Sequence, residues 1–136
     1  MLNKKFIDAL SYELIGAAIY VHKEMGSGLL EHVYQHCMEE ELRYRKINFN
    51  SEMTVPVLFR ERTLDVKLRC DFYVEKCIVL EIKSVIEMNK IFEAQLLTYM
   101  NLLKSPKGVL INFCCENIFY EGQKTFVNEH YRRLPK

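Results

Sequence analysis

Asp71, followed ten residues later by Glu81-Ile82-Lys83, places two carboxylates and an ammonium in a stretch that otherwise reads as buried strand, Cys77-Ile-Val-Leu-Glu-Ile-Lys-Ser84. Burying such charges unpaired costs several kcal/mol or more, so a metal, a substrate phosphate or a tight mutual network must compensate them. That pattern marks a chemical site rather than a packing position.

Side chains alternate along a strand, so Glu81 and Lys83 share one face while Ile78, Leu80 and Ile82 share the other; Asp71 likewise shares a face with Arg69 and Tyr73. If the two strands form an antiparallel hairpin, setting Asp71 opposite Glu81 requires paired residue numbers that sum to 152. A plain two-residue turn cannot do this. The requirement predicts a three-residue loop at Glu75-Lys76-Cys77, or a bulge. In that register the two carboxylates and the backbone carbonyl of Ile82 can ligate one hard cation, and Mg²⁺ suits such a set with several waters retained. Lys83 could then orient or deprotonate a water, or stabilise a scissile phosphate, with its own pKa lowered by desolvation and the cation. A surface Glu-Lys pair is the plainer alternative, and the apolar neighbours on both faces argue against it.

Two helices must bring further groups to these strands. Glu31 falls on the apolar stripe of a predicted helix, between Met38 and Leu42, so its carboxylate is expected to point inward as a third metal ligand. The competing role is complementing the helix dipole from the first turn. On a later helix, Gln95 and Tyr99 are four apart on the face that carries Phe92 and Leu96 toward the sheet. A glutamine amide there would seek a water, Lys83 or a phosphate, whereas a tyrosine on a buried helical stripe, as Tyr99 is, reads more readily as core than as catalyst.

The elements that must position these residues follow from periodicity. Ile7, Leu10, Leu14, Ala17, Val21 and Met25 predict a helix over Lys4 to Met25, with Asn3 as its cap and Gly26-Ser27-Gly28 as its end. A second helix is expected from about Leu29 to Lys46, forming a hairpin with the first. Strands are expected over Thr54 to Phe59, at an edge or bulge because Pro56 cannot donate to a ladder, and over Leu64 to Val74 and Ile78 to Ser84. Asn89 to Lys104 reads as a third helix capped by Asn89, Gly108 to Cys114 as a buried strand, and a weaker strand lies within Gln123 to Tyr131. The order ααβββαββ predicts an α/β sandwich around one mixed sheet, the third helix crossing between strands three and four.

With 136 residues the chain is expected to form one domain, residues 1–136, with a core of its own. Five cysteines, odd in number and without a C-x-x-C pair, read as reduced thiols of a cytoplasmic protein. The longest apolar stretch of the first helix is far short of the ~20 residues that span a bilayer, and no membrane association is expected. A formal net charge of +1 gives no global case for nucleic acid, so such a partner would need a local patch. Arg60, Arg62, Lys67 and Arg69 form one group and Arg43, Arg45 and Lys46 another; either could flank a phosphate backbone, but an ordinary solvated face is the favoured reading of each. His32 and His36 lie four apart on a helix, but no glutamate follows the first as in H-E-x-x-H, so zinc is not expected.

Taken together, Gly28-Leu-Leu-Glu31-His-Val-Tyr34, Asp71, Glu81-Ile-Lys83 and Gln95-Leu-Leu-Thr-Tyr99 resemble the GxxExxY proteins of the PD-(D/E)XK nuclease-like superfamily. The resemblance implies a restriction-endonuclease-like core, a mixed β-sheet flanked by helices. It implies Glu31, Asp71 and Glu81 as acidic metal ligands, Lys83 as the catalytic lysine, and Gln95 with Tyr99 as the helix motif lining the site. Gly28 would open the turn before the Glu31 helix, where the lack of a Cβ eases the backbone, and Tyr34 would be a buttress. Relatives often carry a histidine where this chain has Phe92.

Two functions follow as expectations. The first is a metal-dependent nuclease using Mg²⁺ or Mn²⁺ to hydrolyse a phosphodiester of DNA, more than RNA, with metal-activated water. The second is an inactive module of the same fold that binds nucleic acid or a protein partner. A homodimer could reconcile near-neutral charge with a duplex by pairing two modest basic faces.

Overall fold

The computed structural model describes residues 2–136. Helix α1 (Lys4–Met25) begins where the Asn3 side chain accepts from the Phe6 N–H at 2.7 Å and ends at Gly26, whose φ of 80° is a conformation that favours glycine. Helix α2 (Glu31–Tyr44) packs on α1 through Tyr34, Met38 and Leu42. It starts two residues later than expected, and Leu30 caps it without a side-chain hydrogen bond.

Strand β1 (Phe49–Thr54) begins five residues before the strand expected at Thr54. Its sequence, Phe-Asn-Ser-Glu-Met-Thr, is largely polar because alternate residues face solvent, which hides it from a search for apolar runs. The segment expected as strand at 54–59 contributes only the last residue of β1, Thr54, and β2 (Leu58–Phe59), which pairs with β3 (Arg62–Thr63) in a separate two-stranded hairpin. Pro56 lies in the connection, as a residue without an N–H must. Strand β4 (Arg69–Val74) is accordingly shorter than the expected 64–74.

Strand β5 (Ile78–Lys83) follows β4 across the three residues Glu75-Lys76-Cys77, with Glu75 and Lys76 at φ 49° and 54°. The pairs Phe72↔Leu80, Tyr73↔Val79 and Val74↔Ile78 carry the register required to bring Asp71 and Glu81 together. Helix α3 (Lys90–Leu103), capped by Asn89, then crosses over to β6 (Lys107–Asn112), which pairs parallel with β5 as such a crossover requires. A π-helical turn (Ile118–Gly122), strand β7 (Gln123–Val127) and the short helix α4 (Glu129–Arg132) complete the chain. The last helix is too short for its periodicity to be read.

The result is a five-stranded mixed sheet in the order β1-β4-β5-β6-β7, flanked by helices, consistent with a restriction-endonuclease-like fold. Ile78, Leu80 and Ile82 face the core formed with α1 and α2, while Val79 packs with Leu96, Tyr99, Met100 and Leu110 on the α3 side. Burial on both faces explains the unbroken apolar run of β5, and it explains why a charge within that run has no water to face and must find partners in the protein. Among the described residues no helix is long and apolar enough to cross a membrane.

Candidate active site

The site begins where the sheet comes apart. The β4–β5 ladder ends at Phe72↔Leu80, one pair short of Asp71 and Glu81. On the other side of β4, pairing with β1 runs Ser51↔Phe72 and then Met53↔Cys70, passing over Asp71 and Glu52. Glu52 sits at φ 49°, a left-handed conformation that turns its peptide out of the ladder. Asp71 is therefore unpaired with either neighbouring strand, and its backbone groups are free to serve other partners.

Those partners are the site. The Asp71 N–H donates to Glu81 Oε2 at 2.6 Å, and the Ile82 N–H donates to Asp71 Oδ2 at 2.8 Å. The two carboxylates thus replace the ladder, each accepting from the opposite strand. The Asp71 carbonyl accepts from Gln35 Nε2 at 3.1 Å, and the same nitrogen donates to Ser51 Oγ at 3.0 Å. The Ser51 hydroxyl in turn donates to Glu39. Gln35, buried on α2, ties both edges of the broken ladder to the helix. It escaped the sequence reading because a glutamine beside the conspicuous Glu31 and Tyr34 carries no chemistry of its own; a polar residue on a buried helical stripe was the available signal.

Electrostatics follow from this crowding. Glu81 is only 4 % exposed, and burial first, then the Asp71 carboxylate, pushes its pKa up to about 8. Burial likewise raises the Asp71 pKa, against the Ile82 N–H and the Lys83 ammonium, which lower it; Glu31 and Glu52 raise it further. Lys83 holds its ammonium 4.6 Å from the centre of the Phe92 ring, a cation–π contact on the α3 side of the sheet. The phenol of Tyr99 is raised by burial and by the Glu81 and Asp71 carboxylates, which puts its hydroxyl within their field. Gln95, one turn earlier on α3, is exposed.

Glu31 departs from its expected environment. Its angular position is as expected, since it lies seven residues before Met38 on the sheet-facing stripe. Yet it is the first residue of the helix, beyond the last packed turn, and its side chain is exposed rather than buried. It acts on Asp71 and Glu81 through its charge. Among the described residues no three His, Cys, Asp or Glu side chains gather closely enough to cage a metal, so Glu31 does not close on the other two. Gly28 departs too: a Cβ there would meet nothing within 4 Å and its φ is not left-handed. The residue that needs to be glycine is Gly26.

Tyr34 is a buttress in its contacts. Its hydroxyl donates to the Gly26 carbonyl at 2.5 Å and accepts from the Leu29 N–H at 3.2 Å, while its ring stacks on Phe113 at 4.3 Å. Ser84, next to Lys83, donates to the Leu29 carbonyl at 2.7 Å, so the turn before Glu31 is fastened to the end of β5. Arg69 lies exposed on β4, 4.0 Å from Glu52. His36 pairs with Glu39 on the outside of α2, away from the carboxylate pair.

The donor chemistry of the pair fits a hard divalent cation. Asp71 and Glu81 each engage one oxygen with a backbone N–H, leaving the other free of hydrogen bonds to the described residues. The neighbouring Cys70 thiol is buried, and burial and the two carboxylates push it up to about 12. Two carboxylates with waters suffice for Mg²⁺ or Mn²⁺.

Comparison with protein families matches residues 8–125 to the family described as the PD-(D/E)XK nuclease superfamily. Comparison with curated proteins and with solved structures gave no match.

Proposed function

Because the chain belongs to the PD-(D/E)XK nuclease superfamily, we propose that it is a divalent-metal-dependent nuclease that hydrolyses phosphodiesters of nucleic acid, DNA before RNA. The observation that carries the proposal is the crossed pair of Asp71 and Glu81 at the break in the sheet, with the charge of Lys83 acting on both. Gly28, Glu31 and Tyr34 support placing the chain in the GxxExxY group of that superfamily.

In this reading Asp71, Glu81 and the Ile82 carbonyl would hold Mg²⁺ or Mn²⁺. When bound, the cation supplies Lewis acidity for the charge that develops on a phosphate and for the acidity of an attacking water. Glu81 must first give up its proton, which the Lys83 ammonium favours and the Glu31 and Asp71 charges oppose. Glu31, open to solvent at the rim, would add its negative charge to the acidic set. Lys83 faces the same side as Glu81, one pleat away, where its ammonium can hold a scissile phosphate or the attacking water. Tyr99 and Gln95 line the α3 side. The free state of all five cysteines suits a reducing cytoplasm.

Incubation of the purified chain with Mg²⁺ or Mn²⁺ and labelled single-stranded, duplex and branched DNA, and RNA, tests the proposal. Cleavage should require the cation and be lost in Asp71→Asn and Lys83→Ala. Cleavage that persists unchanged in both variants, or no cation binding by calorimetry, would overturn it.

A further inference from the structure

The β2–β3 hairpin has no structural duty in the core. Leu58 and Phe59 are 62 % and 61 % exposed, and the two strands pack chiefly on each other. A two-stranded hairpin without a supporting layer is marginal on its own. Its turn residues, Arg60 and Glu61, both adopt left-handed conformations, φ 52° and 63°, where Asn-Gly would sit at ease. Charged side chains occupy the tip despite that strain, and the Arg60 guanidinium lies 5.8 Å from the centre of the Phe59 ring. Arg62 pairs across from Phe59 and so projects from the same face.

The hairpin is also joined to the site through backbone hydrogen bonds. Val55 N–H donates to the Leu68 carbonyl at 2.6 Å and Leu64 N–H to the Val57 carbonyl at 2.9 Å, which extends the β1–β4 ribbon outward. The ribbon re-enters the sheet at the pair Thr54↔Arg69, two residues from Asp71. Between 58 and 69 stand Arg60, Arg62, Lys67 and Arg69 against Glu61 and Asp65, and of these four cations only Arg69 has an ion pair with a described residue, the long one with Glu52.

We propose that this hairpin is an arm that grips the substrate strand beside the site, with Phe59 stacking on an unpaired base and Arg60, Arg62 and Lys67 taking phosphates of the same strand. The choice of nucleic acid as occupant rests on the nuclease reading and on the four cations. An exposed ring flanked by guanidiniums matches a base face next to its backbone. Stacking requires a base free of its duplex partner, so the arm selects single-stranded or locally opened substrate.

The test is fluorescence anisotropy in EDTA, where no cleavage occurs, using a labelled single strand and the matching duplex with the full chain. Phe59→Ala should weaken single-strand binding about tenfold and duplex binding little. Arg60→Ala with Arg62→Ala should lower the slope of log affinity against log salt by roughly 1.4, two single-strand phosphate contacts. Thermal melting of each variant confirms that it is folded. Parent-like binding by both arm variants overturns the arm and leaves the nuclease reading intact; arm-dependent binding by a chain that cleaves nothing retains the arm and removes the nuclease. Arm variants that instead convert an oligomer to a monomer at unchanged strand affinity overturn it in favour of a second copy of the chain.

Discussion

Asp71 and Glu81 each hold the other's strand: the Asp71 N–H is bonded to the Glu81 carboxylate and the Ile82 N–H to the Asp71 carboxylate, at 2.6 and 2.8 Å. The arrangement substitutes side chains for a missing rung of the β4–β5 ladder. It keeps two carboxyl groups together in a place that disfavours ionising both, and the backbone donors and Lys83 offset part of that cost.

Glu81→Gln should therefore separate stability from activity. The amide oxygen can still accept from the Asp71 N–H, while the buried ionisable group and its repulsion with Asp71 are gone. Cleavage should fall by at least about a hundredfold, and urea midpoints should be equal to or above those of the parent at pH 9. A loss of more than about 2 kcal/mol at that pH would mean that the carboxylate itself supports the fold.

Stability should decline as pH rises through the range set by Glu81. Its native pKa of about 8 stands above its ordinary value of 4.5, so between these values the folded chain holds a proton that the unfolded chain has lost. Stability contributed by that proton is complete below about 4.5 and lost as pH climbs through 8. Melting curves in EDTA from pH 5 to 9 should show the decline, and Glu81→Gln should flatten it.

Addition of Mg²⁺ should reverse that trend, because ligation requires the deprotonated carboxylate. Calorimetry near pH 7 in buffers of different ionisation enthalpy should register about one proton released per cation bound. Chelation should restore the metal-free melting curve, and cation affinity that does not tighten as pH rises toward 8 would place the ion elsewhere.

Gln35→Leu should loosen the site without touching a reacting group. It strips a donor from both the Asp71 carbonyl and Ser51 Oγ, a loss of about 1–3 kcal/mol. Cation affinity should fall with it, since the broken ladder is no longer anchored to α2. Gln35→Glu should behave alike, because a carboxylate cannot donate to a carbonyl.

Phe92→His probes the surface against which Lys83 rests. The Phe92 ring carries the Lys83 ammonium at 4.6 Å, and the substitution should change the pH profile of cleavage while leaving the melting temperature within a few degrees. Lys83→Met in the same assay should abolish cleavage and raise the Asp71 and Glu81 pKa values further by removing the cation that lowers both.

Strand periodicity and residue spacing by themselves determined a good deal. Alternation and the ten-residue gap required a register and a three-residue loop, and both are present, because a one-residue slip would turn every side chain of β5 to the wrong face. The bounds of α1 and the Asn89 cap of α3 follow from local signals of the same kind. Tertiary structure alone decided how the carboxylates live in that register. Whether Asp71 meets its neighbours through the ladder or through side chains depends on Glu52, nineteen residues earlier, twisting out of β1, and on Gln35 reaching across from α2. The exposure of Glu31 had the same origin: its angle on the helix is local, but how far the packed layer extends beneath the first turn is settled by the whole sheet. Local sequence fixes directions along a strand or around a helix, whereas burial and hydrogen-bond partners arise only when distant segments meet.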